Sequence, residues 1–249
     1  MLKKYLLIFS LFTSMMFASN ITVAVAANVS YAINDLVKQF NISNPNIKVK
    51  VTLGSSGKLT AQINHGAPYD IFMSANMKYP QFLYKNNLAI TKPIIYTKGS
   101  LAILSSKKQD FSNGINIIES KNITVIAVAN PKTAPYGIAT AQALKNAKLY
   151  NKIKPKFIYG ESIAQTVSYT MTASDIGFVA KSALFSPFMT KYKKYINWID
   201  VDSSLYTPIN QGIVILKRAK NNSDAQKFYD FILSPKAQNI LEQYGYQKL

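Results

Sequence analysis

Cysteine is absent from the 249 residues, and histidine and arginine occur once each, as His65 and Arg218. Without cysteine there are no disulfides, no thiolate metal sites, no cysteine nucleophile and no thiol to carry a lipid anchor at a cleavage site. A Ser-His-Asp triad would rest entirely on His65, which stands in the polar stretch NHGAP, and no GxSxG elbow accompanies it. Metal sites would have to be built from carboxylates, yet the eleven acidic residues show no calcium-loop spacing. The sixteen tyrosines include no adjacent Tyr-Tyr pair that would suggest iron held by phenolates. Most are expected to pack in the core or on the surface.

Long apolar runs are also scarce. Lys3 and Lys4 precede an apolar stretch from Tyr5 to Phe17, closed by the small residues Ala18 and Ser19. At about 13 residues it is too short for a spanning helix, which needs ~20, and it reads as an export signal over residues 1–19. No later segment is long and apolar enough to cross a bilayer. The mature chain is expected to begin near Ser19 or Asn20, to be free of stable membrane insertion, and to work in the periplasm.

Lysine is what the sequence has in plenty. The formal charge is +18, and removing Lys3 and Lys4 of the signal leaves 18 − 2 = +16. The lysines are scattered singly, paired only at 107–108 and 193–194, and one arginine cannot supply bidentate phosphate readout. This is a solvated, lysine-rich surface that steers anions weakly at long range, and no nucleic-acid partner is expected.

Strand-like β-rich runs recur along the chain: ITVAVA from Ile21, IKVKVTL from Ile47, DIFMSA from Asp70, SLAILS from Ser100, ITVIAVA from Ile123, DIGFVA from Asp175 and GIVIL from Gly212. Helical patterns lie between them. Val29, Ile33, Leu36, Val37 and Phe40 share one face of a helix expected to start near Asn28. Residues 133–147 and 162–173 read as further helices. Ser223 with Gln226 makes a capping-box pattern, and Ser234-Pro235 an N-cap with proline at N1. This alternation predicts an α/β fold with parallel, doubly wound sheets. The turn-rich segments KPIIYTKG and YTPINQG are suited to cross between two lobes. Lobe 1 would take residues 20–98 and 209–249, lobe 2 residues 99–208, with a ligand cleft between.

The stretch GSSGK at 54–58 looks like a phosphate loop, but a nucleotide P-loop needs glycine where Thr52 stands. A better reading comes from its position between a strand and a helix. Asn28, Ser55-Ser56, Tyr136-Gly137 and Ser162-Ile163 all fall at such handovers. The first turn of a helix has unpaired N–H groups and the positive end of the macrodipole, and so attracts an anion without a charged side chain. Each residue alone is also an ordinary cap or turn residue.

Taken together, VAVAANVSYAINDLVKQF, VTLGSSGKLTAQINHGAPYDIFMSAN, ANPKTAPYGIATAQALKNA, GESIAQTV, DIGFVAKSAL and SPKAQNILEQYGY resemble, in this order and spacing, the periplasmic molybdate-binding proteins of ABC importers. The resemblance covers essentially the whole mature chain. It implies a type II solute-binding fold of two lobes closing on molybdate or tungstate, with no enzymatic activity, no further cofactor and no side-chain metal ligand. A permease and its ATPase subunit would be the partners of a monomeric binder. By position, the family's first donor, usually serine, falls on Asn28 and the second on Ser56. Backbone N–H donors fall on Tyr136 and Ile163. The last ligand, in several members a tyrosine hydroxyl, falls on Ala180, so that bond is missing or comes from elsewhere. The matched positions carry no acid, which suits dianions without a proton better than hydrogen phosphate. Other readings are sulfate binding, an expanded metal site using Glu161 and Asp175, and an exported serine hydrolase using Ser55 or Ser56 with His65.

Overall fold

The computed structural model describes residues 19–248; the export signal expected over 1–19 lies, but for Ser19, outside them. The chain first lays down β1 (Ser19–Ala26), α1 (Ile33–Ser43), β2 (Ile47–Gly54), α2 (Ser56–Asn64), β3 (Ile71–Ser74), α3 (Lys78–Lys85) and β4 (Ile94–Gly99). It then builds β5 (Leu101–Leu104), β6 (Ile126–Ala129), α4 (Pro135–Asn146), α5 (Tyr150–Ile153), β7 (Phe157–Gly160), α6 (Ile163–Thr172), β8 (Ile176–Ala180) and β9 (Trp198–Asp200). It returns with β10 (Ile209–Ile215), α7 (Ser223–Leu233) and α8 (Pro235–Gln243). Two five-stranded sheets result, ordered β2-β1-β3-β10-β4 and β7-β6-β8-β5-β9.

The sheets are mixed rather than purely parallel. Strands joined through helices run parallel, as β1 does with β2 and β3, and β6 with β7 and β8. The strands by which the chain enters a sheet from the other lobe run against their neighbours: β10 against β3 and β4, β5 against β8 and β9. An antiparallel strand needs no covering crossover helix, so a chain arriving from elsewhere can add this way. β4, β7 and β9 are strands the sequence pattern does not mark, being short or half-buried.

Two helix starts differ from expectation. Asn28 lies in a 3₁₀ turn, Ala27–Val29, and α1 begins only at Ile33. The Asn28 carbonyl accepts from the hydroxyls of Ser182 (3.0 Å) and Tyr246 (2.8 Å) instead of from a helical N–H. The chain therefore cannot wind from Asn28 directly into α1. At α7 the cap is Asn222, whose Oδ1 accepts from Asp224 N and Ala225 N at 3.1 and 3.2 Å; Ser223 is the first helical residue. Ser234 does cap α8, accepting from Ala237 N at 3.4 Å.

On α1 the buried residues are Ile33, Leu36 and Phe40, with Val37 at the edge of the stripe. Phe40 packs against Phe228 and Phe231 of α7, ring centroids 5.0 and 5.5 Å away, which fastens the C-terminal helices to the first sheet. In the second lobe, Leu101, Ile126, Phe178 and Leu144 form the equivalent packing between sheet and α4. No helix among the described residues is long and apolar enough to cross a membrane. Phe228→Ala removes a fully buried ring at the centre of this contact. It should lower the unfolding free energy by about 3–5 kcal/mol, measured by urea denaturation.

Candidate functional site

The C-terminal ends of β1 and β2 and the starts of α2, α4 and α6 meet between the two lobes. Ser55 is the N-cap of α2, its Oγ accepting from Lys58 N at 3.4 Å, and Ser56 is the first helical residue. Tyr136 is the second residue of α4 after Pro135, and Ile163 the first of α6, capped by Ser162, whose Oγ accepts from Gln165 N at 3.3 Å. These positions leave early N–H groups of three helices without intrahelical partners. Asn28, Gly54, Ser55, Ser56, Tyr136 and Ile163 line one small cavity of about 10 Å³, the remaining wall being alanine and proline.

Of the five residues singled out by sequence, four thus share a cavity wall, and all four are at least nine-tenths buried. Ala180 does not line it. It ends β8, paired with Leu101, and is itself buried. The hydroxyls near its end of β8 belong to Ser182 and Tyr246, and both are directed at the Asn28 carbonyl.

The polarity of the wall can be read atom by atom. Ser56 Oγ accepts from Ala75 N at 3.0 Å, which leaves its proton free to donate. Asn28 Nδ2 spends its hydrogens on Gln211 Oε1 (2.8 Å) and the Tyr246 hydroxyl (2.9 Å), while Oδ1 is buried without a partner. No acidic or basic residue is among the lining residues. Burial, reinforced by neighbouring tyrosines, pushes the Tyr136 hydroxyl well above the usual tyrosine range, and burial does the same for Tyr96 and Tyr246. No phenolate therefore forms beside the cavity near neutral pH.

The lobes touch around this cavity. Gly57 N donates to Thr133 O at 2.9 Å, and a Cβ on Gly57 would stand 2.9 Å from that same oxygen and 2.8 Å from the Tyr79 hydroxyl. This accounts for the second glycine of GSSG: the other lobe's backbone docks on it. Lys58 does not reach into the cavity but pairs across the rim with Glu161 at 2.7 Å, both about half exposed. At the crossing between lobes, a Cβ on Gly99 would stand 2.1 Å from the Tyr136 hydroxyl and 2.7 Å from Gln211 Nε2. A wider groove of about 240 Å³ shares the Ala75 and Pro135 wall and carries Lys78.

The geometry removes two of the alternative readings. His65 is exposed at the far end of α2, roughly 13 Å along the helix axis from Ser56, out of reach of either serine. Glu161 is held by Lys58, and Asp175 Oδ2 accepts from Thr124 N, Thr124 Oγ1 and Val125 N at 2.8–3.0 Å. Neither carboxylate lines the cavity, and among the described residues no cluster of three potential metal ligands exists. The lone Arg218 donates to Asp70 Oδ1 and Pro68 O and has a structural role.

Sequence reasoning missed Gln211, Tyr246 and Ser182, which hold Asn28, and Tyr96, which donates to Gln211. Gln211, fully buried at the head of the apolar run GIVIL, is the one with a visible signal, a polar residue where the strand pattern asks for an apolar one.

The family model for bacterial extracellular solute-binding proteins matches residues 21–247. The molybdate-binding protein ModA of Azotobacter vinelandii is 33% identical over 231 residues, 92% of this chain and 90% of the relative. The structure of an A. vinelandii periplasmic molybdate-binding protein superimposes with a TM-score of 0.83 at 31% identity, covering 91% of this chain and 98% of that one. The sulfate-binding protein SubI of Mycobacterium tuberculosis shares the fold alone, with a TM-score of 0.76 at 12% identity over 93% and 87% of the two chains. With its two mixed sheets, its cleft lined by helix starts and these likenesses over nine-tenths of its length, the chain belongs to the bacterial extracellular solute-binding proteins, in the ModA family.

Proposed function

We propose that the chain captures molybdate or tungstate outside the cytoplasm, without catalysis and without a further cofactor, and hands it to an ABC permease with its ATPase subunit. The observation that carries this reading is the uncharged cavity between the lobes. The anion would be met by the Ser56 hydroxyl, by the N–H groups of Ser56, Tyr136 and Ile163, and by Asn28. A dianion taken out of water needs a donor for each oxygen, since an unpaired buried charge costs far more than a lost neutral bond. Helix starts supply such donors with their dipoles already aligned, so little reorganisation is needed on binding. Lysine ammonium groups are unnecessary inside; Lys78 in the adjoining groove and the charge of +16 left without Lys3 and Lys4 of the signal (18 − 2) act at longer range, raising the encounter rate.

Donors from α2 belong to one lobe and those from α4 and α6 to the other. The full set therefore exists only when the lobes are closed, and the anion stabilises the closed form by its better contacts there. The Gly57–Thr133 bond and the Lys58–Glu161 pair hold the rims together. The solute-binding relatives and the periplasmic counterpart from A. vinelandii support an exported, non-enzymatic role. Molybdate and tungstate are favoured over sulfate because the relative that shares a third of the sequence over nine-tenths of its length is a molybdate-binding protein, whereas the sulfate-binding SubI shares the fold at 12% identity.

Two measurements test the reading. Molybdate and tungstate at about 100 times Kd should each stabilise the chain by about 2.7 kcal/mol in thermal unfolding. Sulfate at the same concentration should do much less; stabilisation by sulfate with none by molybdate would overturn the assignment. In calorimetry, Ser56→Ala should weaken molybdate binding by roughly 10- to 100-fold, since a hydrogen bond to a charged group is worth about 1.5–3 kcal/mol. Lys58→Ala, which breaks a half-exposed rim pair, should cost about fivefold at most.

A further inference from the structure

Beyond Lys3-Lys4 the sequence has two Lys-Lys pairs, Lys107-Lys108 and Lys193-Lys194, and the fold sets them side by side. β5 runs against both β8 and β9, so its last residue, Leu104, pairs with Gly177 and Trp198, while its first, Leu101, pairs with Ala180. The Ala180 end adjoins the cleft, where Ser182 meets Asn28, and the Leu104 end points away from it. Beyond Leu104, Ser105 N donates to Asn197 O at 2.7 Å and Gln109 N to Ile196 O at 2.9 Å, which ties the segment leaving β5 to the one entering β9. The buried Asn197 amide joins the two lysine pairs, donating to Lys107 O at 3.3 Å and accepting from Lys193 N at 3.1 Å. A carbonyl on one side and an N–H on the other leave that amide only one orientation.

Lys107, Lys108, Lys191, Lys193 and Lys194 are all exposed on these two segments. Apolar side chains stand out among them: Tyr195 is 71% exposed, Ile196 43% and Phe188, on the same loop, 87%. The loop itself is anchored, with Met189 and Trp198 buried beneath it in one cluster with Val179 and Leu184. Tyr195 has φ +66°, a conformation that costs a bulky side chain, and Lys194 Nζ lies 5.1 Å from its ring and 5.6 Å from that of Trp198. Few acids answer the lysines. Residues 181–199 contain none. Asp200 is shared by Lys181 and Lys194 at 2.7 Å each, Asp110 accepts from Ser112 N, and Asp175, near Lys107, accepts from Thr124 and Val125.

Single ammonium groups do not grip a phosphate bidentately as arginine does, so they suit a fluid array of anions better than one fitted partner. Aromatic rings among lysines suit the headgroup layer of a bilayer, where the ring body leaves water while the ammonium heads stay in it. We propose that this end of the second lobe is a membrane-resting surface, held reversibly on anionic phospholipid headgroups with the cleft facing elsewhere. Each lysine close to such a surface adds attraction, which salt at 0.1 M screens beyond about 10 Å. The patch shares no residue with the cavity, so the inference does not depend on which anion the cavity takes.

Flotation of the chain from Asn20 onward with lipid vesicles tests this. It should float with vesicles holding about 30% phosphatidylglycerol at about 0.1 M salt, stay behind with pure phosphatidylcholine, and detach at about 0.5 M salt. Replacing Lys107, Lys108, Lys191 and Lys193 by Gln should lower the vesicle partition coefficient at least roughly tenfold, with the thermal unfolding temperature unchanged. Replacing Lys48, Lys50, Lys220 and Lys236 by Gln, which takes the same charge from exposed positions of the first lobe, should lower it less than about threefold. Phe188→Ser combined with Tyr195→Asn should lower it roughly fivefold with every lysine kept. No flotation with anionic vesicles, equal flotation with neutral ones, or equal losses from the two lysine sets would overturn the proposal, the last because net charge alone would then be acting. So would a patch variant that floats like the native chain yet slows delivery to the permease, since the patch would then be a protein contact. None of these outcomes touches the molybdate reading.

Discussion

A dianion buried among uncharged groups must find a hydrogen-bond donor for every oxygen, and on the proposed reading the cleft of this molecule is arranged to meet that requirement. Donors that are not charged side chains come most cheaply from helix starts, where N–H groups are unpaired and aligned. One helix start cannot surround an anion. Three are brought together here, from α2, α4 and α6, by ending parallel strands of two sheets at a common cleft. Such a crevice at the carboxyl ends of strands is the general binding place of open α/β sheets.

Bringing the sheets so close imposes a second condition, that the facing surfaces be small. Ala26, Ala27, Ala75 and Ala134 join the core of the second lobe in one apolar cluster that runs across the interface. Gly57 admits the Thr133 carbonyl, and Gly99 leaves room for the Tyr136 hydroxyl beside Gln211. Polar bonds across the join are few: Gly57–Thr133 and Lys58–Glu161 by the cleft, and the buried Ser182–Asn28 and Gln211–Tyr136 bonds within it. Closure can then be reversed without unfolding either core.

The heavy positive charge, by contrast, stays outside. Lysines pair with the few acids at the surface, as in Lys58–Glu161, Lys152–Glu119 and Lys194–Asp200. Charges so exposed act through solvent and are screened beyond about 10 Å at 0.1 M salt. On the proposed reading they raise the rate of encounter, while affinity is set by the fixed dipoles within.

Much of this was legible in the chain. Short β-rich runs and helical patterns marked seven strands and the main helices, and the strand-to-helix handovers marked the positions of Ser56, Tyr136 and Ile163, because strand, helix and cap are decided by residues within a few positions of one another. The order of motifs pointed to the family, and absences of cysteine and of further histidine left little room for other chemistry. What local pattern could not decide was which strands run antiparallel, that Asn28 sits in a 3₁₀ turn, that Asn222 caps α7, and that Ala180 stands back from the cavity. Nor could it reveal that Gln211, Tyr246 and Ser182 hold Asn28, or that Tyr96 donates to Gln211. Those bonds join residues 115 to 218 positions apart. A hydrogen bond across such a separation leaves no periodicity in the sequence, since only the packing of one sheet against the other brings its two atoms within reach.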